Sequence, residues 1–226
     1  MTTRSTGRKM QLYTSVPGGK TKQDHMKRLG LGIMICSSRG SLPRQCFSEF
    51  PLALDNGAYS AWRKGYPFDE YIFLKTLSKC LELSLKLNFI VAPDLIGGGE
   101  KSLDFSLRWA ERIPCGNLAL VIQKGMRPES VEAVLDRFSY LFIGTPDDPQ
   151  WKWSNAATWI SLAQRHGKKC HIGACGTPDK MVLAKNLGAD SIDSSSWVRN
   201  DTWHHVERYQ KLSSGFLLKY GVWDGL

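Results

Sequence analysis

Short apolar runs rich in β-branched residues recur along the chain and alternate with segments whose apolar residues are spaced three or four apart. The eight runs cover residues 11–16, 31–37, 50–54, 88–93, 118–123, 140–144, 169–174 and 189–193. Runs of this length predict buried strands. The three- and four-residue spacing predicts amphipathic helices over 71–87, 103–113, 130–138 and 177–188. Because strands and helices alternate, we expect a parallel sheet.

Eight such repeats in 226 residues fit a closed (β/α)8 barrel better than an open doubly wound sheet. Hydrophobic residues make up 42% of the chain and are spread evenly, so we expect one domain over residues 1–226. Residues 1–10 are polar and basic and are expected to form a mobile tail. The sequence Thr177-Pro178-Asp179 predicts a helix start, with Thr177 as N-cap and proline at the first helical position.

The chain carries an excess of positive charge, with a formal net charge of +9. Positive fields attract polyanions over long distances, so the excess predicts an acidic partner such as nucleic acid. The alternative is a solvated basic tail without a partner. The basic residues expected to contact nucleic acid are Arg8, Lys9, Lys20, Lys22 and Arg199.

Cysteine usage and hydropathy bear on the compartment. The six cysteines are scattered, and no basic segment followed by an apolar one marks a secretion leader, so we expect a reducing cytoplasm. No apolar run approaches the roughly 20 residues that span a bilayer. We therefore expect a soluble protein with no membrane partner.

Polar residues or glycine close five of the predicted strands: Asp55, Asp94, Gln123, Gly144 and Asp193. In a (β/α)8 barrel the reactive groups come from the carboxyl ends of the strands, which meet at one mouth. Aspartates also occur at strand ends as turn and helix-cap residues. Three carboxylates on the same expected face favour a functional site.

Two opposed carboxylates suit chemistry at an anomeric carbon. One attacks to form a covalent glycosyl-enzyme, and the other moves a proton on the departing or arriving group. A third carboxylate accepts hydrogen bonds from adjacent N–H donors such as those of guanine, and Gln123 can both donate and accept. Tyr59, four residues after Asp55, offers a flat surface for a purine, with core packing as the alternative.

Several motifs recur in a characteristic order. Residues 172–197 (IGACGTPDKMVLAKNLGADSIDSSSW) contain a Gly-Thr-Pro-Asp turn, a helix, and a Gly-x-Asp-x-x-Asp strand that ends at Asp193. Earlier, residues 55–60 read DNGAYS, Asp94 lies in VAPDL, residues 122–125 read IQKG, and Gly144 closes LFIG. In this order and spacing the motifs resemble the tRNA-guanine transglycosylase superfamily, and they cover most of the predicted barrel.

The resemblance implies a role for each matching residue. Asp193 would be the nucleophile and Asp55 the general acid/base group. No cofactor is implied. The residues that would bind the base are Asp94, Gln123, Gly144 and Tyr59.

The chain also departs from the family pattern. Members that act on tRNA carry a C-terminal Cys-x-Cys-x-x-Cys…His zinc site, and nothing after Cys175 can supply it. Cys170, His171 and Cys175 are too few for a closed tetrahedral zinc set, so no metal is expected. Residues 194–197 (SSSW) replace the family's Pro-Thr-Arg. In these respects the chain resembles the short, zinc-free phage and bacterial enzymes that insert 7-deazaguanines into DNA.

This resemblance implies a DNA-guanine transglycosylase, a pentosyltransferase that exchanges guanine in DNA for a 7-deazaguanine such as preQ0 through a covalent Asp–deoxyribose intermediate. It would work in the cytoplasm, that of the host if the chain is phage-encoded. The same chemistry on tRNA, or with water as the acceptor, is an alternative. A different class is a catalytically silent barrel that binds nucleic acid, with the tryptophans of residues 151–159 (WKWSNAATW) stacking on bases. A phosphate-handling barrel would need glycine-rich loops after the last two strands, which are poorly matched.

Overall fold

The computed structural model describes residues 9–39, 42–114, 116–145 and 147–214, so the predicted tail lies outside it up to residue 8. Eight parallel strands follow one another around a closed barrel, in which pairing of the last strand with the first leaves no open edge. This confirms the predicted (β/α)8 barrel. The strands are β1 (Gln11–Thr14), β2 (Gly32–Cys36), β3 (Leu52–Asp55), β4 (Leu87–Val91), β5 (Leu118–Ile122), β6 (Tyr140–Ile143), β7 (Lys169–Ile172) and β8 (Ser191–Asp193).

Helices surround the barrel, and local signals set several of their starts. Asp69 and Asp148 are N-caps whose side chains accept from backbone N–H groups at 2.9 Å. Thr177 is an N-cap followed by Pro178 as predicted, although its hydroxyl makes no capping hydrogen bond. The helices are α1 (Lys20–Leu29), α2 (Ala58–Trp62), α3 (Glu70–Glu82), α4 (Glu100–Ala110), α5 (Pro128–Glu132), α6 (Pro149–Arg165), α7 (Pro178–Leu187), α8 (Ser196–Arg199) and α9 (Trp203–Ser213), with 3-10 turns at Ser37–Arg39, Gln45–Glu49 and Leu135–Arg137. None of these helices is long and apolar enough to cross a membrane.

Two predicted helices are shorter than their periodicity indicates. The helix expected over 71–87 ends at Glu82, because Ser84 adopts a left-handed backbone (φ 50°) that turns the chain toward β4. The helix expected over 130–138 divides into α5 and a 3-10 turn, because Val134 leaves the helical region with φ −123°. In both segments the apolar spacing continues past the end of the hydrogen-bonded helix.

Residues along each strand alternate between two cores. One core lies between the strands and the helices and takes residues such as Leu54 and Ile122. The other core is a smaller cluster that contains Tyr13, Met34, Ala53, Phe89, Val91, Ala119, Val121 and Tyr140. Because every second residue of a strand points to the same side, Asp55 follows Ala53 and Gln123 follows Val121 on the inward face. The alternation therefore directs these polar residues into the barrel mouth.

Candidate active site

All five of the predicted strand-end residues lie at the carboxyl end of the barrel. Asp55 and Asp193 are the last residues of β3 and β8, and Gln123 and Gly144 directly follow β5 and β6. Asp94 lies three residues beyond the end of β4. In the closed ring β1 and β2 separate β8 from β3, so Asp193 and Asp55 belong to different sides of the mouth.

Asp94 is buried and held by two side-chain amides. Nδ2 of Asn56 donates to Oδ1 of Asp94 at 2.8 Å, and Nε2 of Gln123 donates to its Oδ2 at 2.7 Å. Burial raises the pKa of Asp94 to about 6, against the effect of these two hydrogen bonds, and the charge of Asp55 acts in the same direction as burial. Asp55, Asp94 and Gln123 therefore form one cluster, and above pH 6 its central carboxylate is an anion that accepts hydrogen bonds.

The two amides that hold Asp94 are themselves fixed in orientation. Oε1 of Gln123 accepts from the backbone N–H of Gly97 at 3.1 Å, and Oδ1 of Asn56 accepts from that of Ala58 at 2.7 Å. Each amide must therefore direct its NH2 group at the carboxylate. Asn56 is a site residue whose contact the sequence alone did not indicate.

Asp193 is held through one of its two carboxylate oxygens. Its Oδ1 lies 3.1 Å from Nε2 of His171 and accepts from the backbone N–H of Ala174 at 3.2 Å. Within the described part of the chain, Oδ2 has no hydrogen-bond partner, and 22% of the side chain is exposed. This arrangement orients the carboxylate and leaves one oxygen open to the mouth.

His171 is completely buried beneath Asp193. Its Nδ1 lies 2.9 Å from the hydroxyl of Ser191, and its ring lies 4.4 Å from that of Phe142 between centroids. Because a carboxylate only accepts hydrogen bonds, Nε2 must carry a proton and donate to Asp193, and the Ser191 hydroxyl, which can both donate and accept, pairs with Nδ1. The sequence brought His171 into consideration only as a zinc ligand and did not indicate this contact.

Lys152 is a further residue of the site that the sequence motifs did not indicate. It is 4% exposed, and its Nζ donates to the carbonyl of Gly173 at 2.8 Å, in the loop that also supplies the Ala174 amide. Burial lowers the pKa of Lys152, while the charge of Asp193 opposes that change. The sequence did contain a signal for this residue. Lys152 lies four residues before Ala156 on the buried face of α6, at a position where the helical spacing predicts an apolar residue.

Two glycines keep the mouth open. A Cβ on Gly144 would lie 2.8 Å from Cγ1 of Val121, and one on Gly173 would lie 2.9 Å from the ring of Phe142 and 3.5 Å from Oδ1 of Asp193. Side chains at these positions would press into the barrel interior. The space beside Asp193 therefore depends on Gly173, and Gly144 leaves room beside Val121.

A cavity of about 230 Å³ adjoins the Asp55 side of the mouth. Cys36, which pairs with Asp55 in the β2–β3 register, lines it together with Ser15, Gln23 and Arg44. Burial, and then the charge of Asp55, raises the pKa of the Cys36 thiol to about 12, so the thiol stays protonated. The Ser15 hydroxyl is buried without a hydrogen-bond partner in the described residues.

The structure separates the basic residues predicted to contact nucleic acid. Arg8 lies outside the described residues, and Lys9 precedes β1, at the end of the barrel opposite the mouth. Lys20 begins α1 and Arg199 ends α8; both are exposed on the mouth side. Lys22 donates to a backbone carbonyl at 2.7 Å and pairs with a carboxylate at 2.8 Å. Only Lys20 and Arg199 combine exposure with a position near the mouth.

Tyr59 lies on α2 with 41% of its side chain exposed, so it does not belong to the core. Its ring packs almost parallel to that of Trp62.

Across residues 9–39, 42–114, 116–145 and 147–214, no group of three or more His, Cys, Asp or Glu side chains is placed to hold a metal ion. Compared with known proteins, the chain matches no protein-family model and no curated sequence.

Proposed function

We propose that this barrel exchanges a guanine base in DNA for a 7-deazaguanine such as preQ0. The observation that carries the proposal is the carboxylate of Asp193, oriented through Oδ1 with Oδ2 open, on the side of the mouth away from the cluster of Asp55, Asp94 and Gln123. This arrangement supplies a nucleophile, a proton-transfer group and a site that recognises a base. DNA as the substrate rests on the sequence resemblance.

The exchange takes two displacements at the same carbon. Oδ2 of Asp193 attacks C1′ of the deoxyribose while the C1′–N9 bond breaks, and the departing guanine takes a proton from Asp55. The incoming base then gives its N9 proton to Asp55, which restores the carboxylic acid. N9 attacks C1′ as the bond between C1′ and Oδ2 of Asp193 breaks. Protons and electron pairs balance over the cycle, so no cofactor is required.

Base recognition is assigned to Asp94 and Gln123. The Asp94 carboxylate would accept from N1–H and the exocyclic amine of guanine, which adenine and hypoxanthine cannot both offer. Gln123 would complete the polar edge, and Gly144 would leave room for the ring. Since the target C1′ must reach Asp193, the nucleotide has to leave the base stack.

To test the proposal, the pure protein is incubated with a guanine-containing DNA oligonucleotide and labelled guanine or preQ0. The nucleosides of the DNA are then analysed for label. We expect label in DNA with the wild type and none with Asp193→Asn, whose amide keeps the shape of the side chain but cannot attack C1′. An RNA hairpin and a reaction without added base test the tRNA and N-glycosidase alternatives. Exchange by Asp193→Asn at the wild-type rate would disprove the mechanism.

A catalytically silent barrel that binds nucleic acid is the competing hypothesis. It relied on the net charge of +9 and on the tryptophans of residues 151–159. Trp159 is 2% exposed, and Trp151 and Trp153 are partly buried against the main core, so these rings anchor α6. The charge alone does not distinguish this hypothesis from base exchange.

A further inference from the structure

Exposed aromatic side chains are concentrated in one short segment after β3. The structure describes four such side chains, and all of them lie between positions 59 and 71. Tyr59, Trp62 and Tyr66 are 41%, 48% and 67% exposed. Because burial of a large aromatic side chain is favourable, a group of them left in solvent indicates an interaction surface.

The geometry of this group suits flat ligands. The rings of Tyr59 and Trp62 lie 6.0 Å apart between centroids with an interplanar angle of 27°. The Arg63 guanidinium lies 5.9 Å from the Tyr59 ring centroid. Nearly parallel rings beside a guanidinium offer stacking faces for planar groups next to a cation.

The surrounding charge is positive. No acidic residue occurs between Asp55 and Asp69, and the exposed Arg63 and Lys64 form no ion pair with any acidic side chain in the described residues. Aromatic faces combined with unpaired cations are characteristic of proteins that bind single-stranded nucleic acid. A duplex offers its phosphates to such a surface but hides the base faces.

The surface follows the candidate active site directly along the chain. Tyr59 lies four residues after Asp55, and Ala58, the first residue of α2, donates its backbone N–H to Asn56, which holds Asp94. A nucleotide displaced into the mouth leaves its neighbours on the strand without stacking partners. Because α2 starts beside this cluster, we expect those neighbours to reach it.

We propose that the α2 surface, formed by Tyr59, Trp62, Arg63, Lys64 and Tyr66, binds the unpaired DNA strand that flanks the target nucleotide. The aromatic rings stack on bases, and the two cations contact phosphates. The preferred substrate is then an unpaired or opened strand rather than an intact duplex. This inference rests on the proposed function in taking the strand to be DNA and the mouth to hold its target nucleotide.

The test measures fluorescence anisotropy of labelled dodecathymidylate, which contains no guanine and so reports binding without base exchange. We expect the wild type to bind it more tightly than a hairpin duplex of equal length. Trp62→Ala with Tyr66→Ala should weaken binding to the single strand about tenfold or more, with little change for the hairpin. Leu183→Ala, which truncates an exposed apolar side chain on α7, is the control and should bind as the wild type does.

The charge of the α2 surface is tested separately. Arg63→Ala with Lys64→Ala should flatten the salt dependence of binding to dodecathymidylate. Lys86→Ala with Lys168→Ala removes the same charge directly before β4 and β7, at the opposite end of the barrel, and should leave the dependence unchanged. Thermal melting of each variant identifies loss of folding.

The results separate this surface from the proposed reaction. Wild-type affinity for dodecathymidylate in the double aromatic variant would overturn the proposal, as would an equal loss for the hairpin or tighter binding of dodecauridylate by the wild type. If the wild type fails to exchange bases, and the double aromatic variant still loses affinity for dodecathymidylate, only the proposed reaction is refuted.

Discussion

Nε2 of the buried His171 lies 3.1 Å from Oδ1 of Asp193, so the imidazole fixes the carboxylate from inside the barrel. Ser191, two residues before Asp193 on the same strand, holds the other ring nitrogen. This contact links β7 and β8 beneath the mouth. A charge-assisted hydrogen bond of this kind orients a carboxylate without occupying its second oxygen.

His171→Phe should lower kcat for base exchange by about tenfold or more, because a hydrogen bond to a charged group contributes about 1.5–3 kcal/mol. The KM for the incoming base should change little, since Asp94 and Gln123 remain. His171→Gln retains an N–H donor and should recover part of the rate. Steady-state kinetics, with melting curves for folding, check this expectation. A rise in KM at constant kcat would instead place His171 in base binding.

Asp94 should make stability depend on pH. Its pKa rises from 3.8 in the unfolded chain to about 6 in the folded one, so the native state retains a proton that the unfolded chain releases. The resulting stabilisation is complete below about pH 4 and is lost as pH rises through 6. Asp94→Asn does not titrate, so its stability relative to the wild type should improve from pH 4.5 to 7.5, by about 3 kcal/mol at most. Urea denaturation at several pH values measures the difference, and a constant difference would show that the pKa of Asp94 is not raised on folding.

Gly173→Ala should reduce base exchange and stability together. The added methyl group would lie 2.9 Å from the ring of Phe142, which packs on His171. Overpacking of this kind costs about 1–3 kcal/mol and would displace the group that orients Asp193. Gly116→Ala is the matched control, because nothing lies within 4 Å of its added Cβ. Wild-type exchange by Gly173→Ala would show that the site tolerates a side chain there.

The salt dependence of DNA affinity should distinguish basic residues by position. Lys20→Ala with Arg199→Ala should flatten the log–log slope by about 0.9 for each phosphate that the variant no longer neutralises. Lys27→Ala with Arg28→Ala removes the same charge, but those side chains already pair with Glu49 and Glu207, so the slope should stay nearly constant. If both double variants flatten the slope equally, the DNA responds to the overall positive field of the protein rather than to direct contacts at the mouth.

Local pattern was sufficient to predict the barrel and the residues that close its strands. Alternation along a strand is a property of the backbone, so Asp55 and Gln123 could be placed on one face without knowing any contact. Helix ends were harder to predict from the sequence, as the early end of α3 at Glu82 shows. A single residue with positive φ can stop a helix although the apolar spacing continues.

The tertiary structure alone decided how the site is assembled. His171 meets Asp193, and Lys152 meets Gly173, across gaps of about twenty residues in the chain, and neither pairing leaves a periodic signal. Likewise, the sequence showed that Lys9 and Lys20 are basic, but only the barrel placed them at opposite ends. Spacing along the chain determines which way a side chain points from its own element, whereas its partners depend on how the ring of strands closes.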